Sequence, residues 1–192
     1  IKQCLVGSEM CIRDRNNILK SKFDAKILAF EDDKDRIPMI DIPLKDNQIW
    51  KDGIFEFKVI HVPGHTSGHI CFHFFNEKTV FTGDTLFSLG CGRIFEGSYE
   101  DMFNSLLRLK VLPPETEVYF GHEYTLNNAI FCQRFDQNNS ELNKKILNIK
   151  KKLDSGFPSV PSTIKDELNC NIFLRAKNQE EFSKLRDLKD NF

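Results

Sequence analysis

The chain has 192 residues, enough for one well-filled core and a small second domain. Its 40% hydrophobic and 29% charged content suits a globular protein, and a net charge of −1 supplies no global field to draw in nucleic acid or a membrane surface. No apolar run approaches the ~20 residues needed to span a bilayer, no signal-peptide core is visible, and six cysteines without CxxC or framework spacing point to reduced thiols in a cytosolic chain.

Residues 1–15, IKQCLVGSEMCIRDR, carry neither helical nor strand periodicity. AKILAF (25–30) predicts a short strand. The polar, proline-punctuated stretch after it predicts a loop with room for one edge strand. Asp52-Gly53 is a turn signal between QIW and IFEFKVIHV and predicts a hairpin. HICFHFF (69–75) and TVFTG (79–83), separated by residues 76–78, predict a second. Residues 99–112 place Met102, Phe103, Leu106 and Leu109 on one face of a helix that Pro113-Pro114 ends. EVYFG (117–121) reads as a strand. From Thr125 the pattern is helical over 125–136, 139–153, 164–169 and 178–190, with a Pro/Ser loop at 154–163. Strands first and helices last predict a layered α/β domain followed by a small helical cap. No internal repeat or low-complexity tract is present.

Four short motifs stand out: GHTSGH (64–69), GDTLF (83–87), GCGRIFEG (90–97) and GHEY (121–124). His61, His65, His69 and His73 recur every four residues, which on a helix would be one face. Pro63 and Gly64 inside the run, with β-branched and aromatic flanks, make it strand, turn, strand instead. Only His65 then sits in the turn, at the rim where ligands project. His69 is left to orient the loop by hydrogen bonding, and His61 and His73 lie along strands with no metal role. Asp84 ends an apolar strand, where a carboxylate either caps the next turn or binds a cation. Gly121 permits a tight turn that pushes the His122 imidazole outward. Tyr124 can be interfacial packing or a hydroxyl contact to a ligand. Gly90–Gly97 is a weak phosphate-loop lookalike without the Lys-Ser/Thr ending. Arg186 and Lys189, three apart, share a helix face that is solvated or binds an anion. Lys144, Lys145 and Lys150–Lys152 read as a solvated helix face.

In order and wording these motifs resemble the glyoxalase II family, the hydroxyacylglutathione hydrolases of the metallo-β-lactamase fold. The resemblance runs over residues 25–192. It extends to NIFLR (171–175), with Ile172 where the family has Pro, and to the closing RxxKDxF formed by Arg186, Lys189, Asp190 and Phe192. It implies an α/β fold: an incomplete metallo-β-lactamase-type αββα sandwich over residues 16–124 and a C-terminal helical substrate-binding domain over 125–192. Two divalent metal ions are implied, zinc first and iron or manganese as alternatives. His65 would bind the first, Asp84 bridge both and His122 bind the second. The substrate residues implied are Arg93, Ile94, Phe95 (where the family often has Tyr), His122, Glu123 and Tyr124, with Arg186 and Lys189 taking the glycine carboxylate of glutathione.

The activity implied is hydrolysis of S-D-lactoylglutathione to glutathione and D-lactate by a hydroxide between the ions, in methylglyoxal detoxification. The protein would be a cytoplasmic monomer acting on a small molecule, with no nucleic-acid or membrane partner. One family segment, THxHxDH, does not occur in the sequence. CLVGSEMCIRDR resembles read-through of sequencing-adapter DNA, so residues 1–15 are expected to be non-native, Cys4 and Cys11 to lack functional weight, and activity to be impaired. Two alternatives stand beside this reading. One is another enzyme of the same fold, such as a persulfide dioxygenase with a single iron. The other is an inactive product that binds glutathione through Arg93, Arg186 and Lys189.

Overall fold

The computed structural model describes residues 10–37 and 39–192, with side chains from Asn16 onward except Asn17. Residues 1–9, most of the segment expected to be non-native, lie outside the described residues. Helix α1, Met10–Phe23, includes residues 10–15, for which the sequence shows no periodicity. Its Met, Arg, Leu and Lys residues have good intrinsic helix propensity, and propensity needs no apolar stripe. Strand β1, Leu28–Phe30, is half the length its pattern predicts and pairs in parallel with β2, Ile42–Leu44, the edge strand the loop had room for.

Four strands follow as two hairpins. β3 (Ile49–Asp52) pairs with β4 (Phe55–His61), and β5 (Ile70–Phe74) with β6 (Thr79–Gly83), while β4 and β5 also pair antiparallel. The short strands β7 (Leu86–Phe87) and β8 (Gly90–Cys91) make a small hairpin of their own. Helix α2 (Tyr99–Lys110) then crosses to β9 (Glu117–Phe120), which runs parallel to β6. After α3 (Thr125–Phe135) and α4 (Ser140–Asp154), β10 (Ser162–Thr163) adds to the far side of β9, giving the order β10-β9-β6-β5-β4-β3. The stretch expected to be a Pro/Ser loop therefore ends in a strand, too short for a period-2 pattern to announce it. α5 (Ile164–Cys170) and α6 (Gln179–Asp190) close the chain.

Alternation decides the layers. Ile60, Cys71, Val80 and Val118 point to the face that carries the larger core, with Met102, Leu106 and Leu109 of α2 and residues of α3 to α6. Phe57, Val59, Ile70 and Phe72 point the other way, against Phe30 and Leu44. A sheet buried on both faces needs apolar residues at successive positions, which is why the β4 and β5 sequences read as near-continuous hydrophobic runs. Helix α2 starts at a capping box in which Ser98 accepts from the Asp101 amide and Asp101 from the Ser98 amide. Phe103 packs on Phe182 of α6 with ring centroids 5.8 Å apart. Among the described residues no helix is long and apolar enough to cross a membrane.

A buried carboxylate ties the last helices to the β7–β8 hairpin. Glu167 of α5, with no solvent exposure, accepts the Leu89 amide at 2.7 Å and the Asn171 side-chain amide at 3.0 Å. It also accepts the Lys145 ammonium of α4 at 2.6 Å. Burial works against the charge on Lys145, but Glu167 and Asp166 outweigh it and hold its pKa above the ordinary value. Removing one partner of such a pair strands the other charge. Glu167→Ala is expected to cost about 3–5 kcal/mol in urea denaturation; a loss below about 1 kcal/mol would show that this network does not anchor the helices.

Candidate metal and substrate site

The topology gathers three side chains that lie 19 and 38 residues apart. β6 and β9 are parallel neighbours, so the residues just past their C-terminal ends, Asp84 and His122, emerge together. The turn between β4 and β5 brings His65 to the same end. His65 Nε2 lies 3.5 Å from Asp84 Oδ2, and His122 Nε2 lies 3.5 Å from Asp84 Oδ1. Each carboxylate oxygen thus faces one imidazole. His65 and Asp84 are buried, while the His122 side chain is 39% exposed.

Hydrogen bonding fixes which atoms face inward. His65 Nδ1 sits 2.9 Å from the Arg93 carbonyl oxygen, which can only accept, so Nδ1 carries the proton. On a neutral ring Nε2 then presents its lone pair to a carboxylate oxygen. Two electron-rich atoms aimed at each other are the arrangement a cation between them would relieve, and imidazole plus carboxylate is a donor set for divalent zinc, iron or manganese. Among the described residues each such position has two donors. Among the described residues no three His, Cys, Asp or Glu side chains surround one point.

His69 takes the orienting part expected of it. Its Nε2 is 3.2 Å from the Asp84 amide and 3.3 Å from the Thr82 carbonyl oxygen, and burial lowers its pKa to about 4, so the ring is neutral. His61 and His73 lie on β4 and β5, away from the cluster, with His61 stacked on Phe30 at 4.1 Å. Two glycines allow Asp84 its place. A Cβ on Gly92 would collide with the Asp84 carbonyl oxygen, and one on Gly121 would stand 2.6 Å from Asp84 Oδ1. The Gly121 amide donates to the Gly83 carbonyl at 2.9 Å, closing the turn that presents His122.

The three residues open onto a cavity of about 680 Å³. Of the residues singled out in the sequence, Arg93, Phe95, Tyr124, Arg186 and Lys189 line it, together with Phe87, Cys91, Asn127, Asn128 and Phe192. Tyr124 stacks on His122 at 5.1 Å, and the Phe95 ring lies 4.9 Å from His65. Two expected residues fall outside. Ile94 packs against the core. Glu123 turns away and accepts the Ser159 amide at 2.9 Å and its hydroxyl at 2.6 Å; burial alone would raise its pKa, but these bonds lower it. It anchors the loop before β10, because the donors lie on that side. Asn127 and Asn128 went unforeseen, although both fall within four residues of Tyr124, one helical turn away.

The cations of α6 both line the cavity, and neither is a freely solvated surface residue. Arg186 is buried: Nη1 donates to the Cys91 carbonyl at 2.9 Å, and Nη2 to Asp190 at 2.8 Å. Lys189 is half-buried, bonds Asn127 and lies over the Phe131 and Phe192 rings. Burial first, then the nearby Arg186 charge, lowers its pKa to about 8. Arg93 is the exposed cation, 3.5 Å from Asp190.

Residues 21–122 match the family model of the metallo-beta-lactamase superfamily, and residues 123–192 match that of the hydroxyacylglutathione hydrolase C-terminus. The hydroxyacylglutathione hydrolase of Pelagibacter ubique is 58% identical over 177 residues, covering 92% of this chain and 74% of that protein. The chain belongs to the hydroxyacylglutathione hydrolase family. Another member, from Rhizobium etli, is 42% identical over 191 residues, covering 92% of this chain and 75% of its own. Among solved structures, ETHE1 from Myxococcus xanthus superposes with a TM-score of 0.63 at 23% identity, over 90% of this chain and 62% of that one. That likeness shows the fold: α/β, of the metallo-β-lactamase type. TTHA1623, solved in a di-iron-bound form, superposes with a TM-score of 0.50 at 28% identity, over 62% of this chain and 68% of that one.

If family members rely on the close approach at Gly92, a side chain there should displace Asp84. Gly92→Ala is expected to lower zinc affinity by about 10–100-fold in competition with a chromophoric chelator. Wild-type affinity in that variant would remove Gly92 from the account.

Proposed function

We propose that the chain binds glutathione thioesters and hydrolyses S-D-lactoylglutathione to glutathione and D-lactate. The observation that carries this is the convergence of His65, Asp84 and His122 at the wall of a cavity that also holds three cationic side chains and several aromatic rings. Membership of a family whose named members are hydroxyacylglutathione hydrolases supports it.

His65 with Asp84 would hold one divalent ion, and His122 with Asp84 a second. Zinc suits these donors, with iron and manganese as alternatives, and the di-iron form of TTHA1623 supports a pair. When bound, such ions polarise a carbonyl oxygen and make water acidic enough to supply a nucleophile near neutral pH. The protein's own groups set the geometry. The Arg93 carbonyl fixes the His65 ring, the Tyr124 ring steadies His122, and His69 seats the Asp84 amide. Arg93 and Lys189 supply positive charge for the glutathione carboxylates, and the Tyr124 hydroxyl a further contact. Phe87 and Phe95 offer apolar surface to the acyl part. A thiolate is a good leaving group, so no protein acid is required at sulfur. In this reading residues 16–124 hold the ions and also supply Phe87, Arg93, Phe95 and Tyr124 to the substrate, while residues 125–192 contribute Lys189. The buried free thiols of Cys71, Cys91, Cys132 and Cys170 support a reducing, cytoplasmic setting.

Two donors per ion hold a cation weakly, so hydrolysis of S-D-lactoylglutathione should be slow and should rise with added zinc. Asp84→Asn should lower kcat/KM by at least about 100-fold, since it removes a donor to both positions. No hydrolysis at saturating metal would sink the proposal.

Lys189 generates a pH dependence. Its folded pKa, about 8, lies below the ordinary lysine value of 10.5, so between these values the unfolded chain holds more protons and stability rises with pH. Carboxylate binding runs the opposite way, because it needs the ammonium. Affinity for S-methylglutathione, which lacks a titrating thiol, should fall in calorimetry as pH rises above about 8. Lys189→Arg should flatten that fall, and an unchanged profile would remove Lys189 from the site.

A further inference from the structure

His65 sits in the turn between β4 and β5, and a second irregular segment, residues 93–97, runs alongside it. The Arg93 carbonyl accepts from His65 Nδ1 at 2.9 Å. The Phe95 amide donates to the His65 carbonyl at 3.3 Å, and the Gly97 amide to the Gly64 carbonyl at 3.1 Å. A Cβ on Gly97 would stand 2.6 Å from the Gly64 Cα, so the two backbones touch there. Neither segment lies in a strand, so no sheet ladder keeps them in place.

One cluster of side chains ties the two together. Glu96 accepts the Ser67 amide at 2.8 Å and the Ser67 hydroxyl at 3.1 Å. Arg36 grips the same carboxylate with both arms of its fork, Nη1 to Oε2 at 2.7 Å and Nη2 to Oε1 at 2.6 Å. Nη1 also donates to Ser67 Oγ at 3.0 Å. Arg36 is steadied in turn by Asp33, which is buried and lies 3.3 Å from Nη1, and whose carbonyl accepts the Arg36 amide at 2.9 Å. The Asp33 carboxylate occupies the space where a side chain on Gly68 would stand. The Arg36 and Glu96 side chains are 31% and 37% exposed, so their charge attraction adds little to global stability. What a planar two-bond contact supplies is a fixed geometry.

We propose that Arg36 and Glu96 are positioning residues: they lock the turn at Ser67 to residues 93–97 and so keep the His65 ring on the Arg93 carbonyl, with Nε2 aimed at Asp84. Arg36 comes from the polar loop before β2 and lies outside the four motifs, so this assigns a part in the site to a segment that carried none. The consequence for ions rests on the reading of His65 as an ion ligand; the consequence for its ring does not.

The test uses the full chain and two measurements. One is zinc affinity by chelator competition. The other is solvent exchange of the His65 Nδ1 proton in the metal-free chain, followed by NMR on protein labelled with 15N-histidine and assigned with His65→Gln. Arg36→Gln and Glu96→Gln should each lower zinc affinity by about tenfold and speed the exchange by a similar factor. The double variant should lose no more than either alone, because both remove one contact. Arg175→Gln, which breaks an ion pair with Asp136 in the helical tail, should leave both readouts at wild type. Losses of equal size in Arg175→Gln would mean general loosening and overturn the proposal. So would wild-type behaviour of Arg36→Gln, or a change in only one of its two readouts. If the unaltered chain binds no zinc, the ion reading fails and the exchange alone decides: faster exchange supports the proposal, an unchanged rate overturns it. Should Arg36→Gln fail to fold by circular dichroism, Arg36→Lys carries the same test, because it keeps the charge and loses the fork. A change of about threefold in both readouts is then expected, and none overturns the proposal.

Discussion

The carboxylate of Asp84, with an imidazole 3.5 Å from each oxygen, is the constraint around which the rest of the structure is arranged. A buried carboxylate facing ring nitrogens is costly to assemble unless a cation shares the space. Such a group holds its shape only if its supports are stiff. The parallel β6–β9 pair fixes the spacing of Asp84 and His122, since two adjacent strand ends cannot drift apart without breaking the sheet. Gly92 and Gly121 let backbone approach Asp84 more closely than any side chain would permit. His69, kept neutral by burial, takes no charge into the cluster.

Stiffness at the strand ends is borrowed from the helical tail. Glu167 accepts the Leu89 amide in the β7–β8 hairpin, and Lys145 balances its charge from the preceding helix. On the other side of the hairpin Asn128 donates to the Ser88 carbonyl at 3.1 Å. A hairpin of two-residue strands has too few bonds of its own to keep a fixed position. Here it is held by groups far along the chain, and it passes that order to residues 91–93.

Features with a repeating pattern were legible in the sequence. The two hairpins of β3 to β6 and the apolar face of α2 follow from periods of 2 and 3.6, because each buries a defined face. The convergence of His65, Asp84 and His122 follows from each sitting just past an apolar strand. What was not legible lacks a local signal. β7, β8 and β10 are two residues long, too short for alternation. Glu123 looks like a site residue from its motif, but its direction depends on Ser159, 36 positions later. Arg186 and Lys189 share a helix face by spacing, yet their burial depends on Cys91 and Asn127, residues that spacing within one helix cannot place.

Substrate recognition and ion holding are not separate compartments in this fold. The cavity's exposed cation, Arg93, is also the residue whose carbonyl orients His65, so under the proposed function one residue would serve both tasks. A contact made only to a remote part of the substrate contributes similarly to ground and transition states and shows in KM. A contact that also steers an ion ligand changes the geometry at the reacting carbonyl and shows in kcat as well. Disturbing residues 91–93 should therefore affect both constants together, while Lys189, whose neighbours are Asn127 and aromatic rings and no ion ligand, should affect KM alone. The difference follows from which backbone each cation is tied to, and not from its distance along the sequence from the ligands.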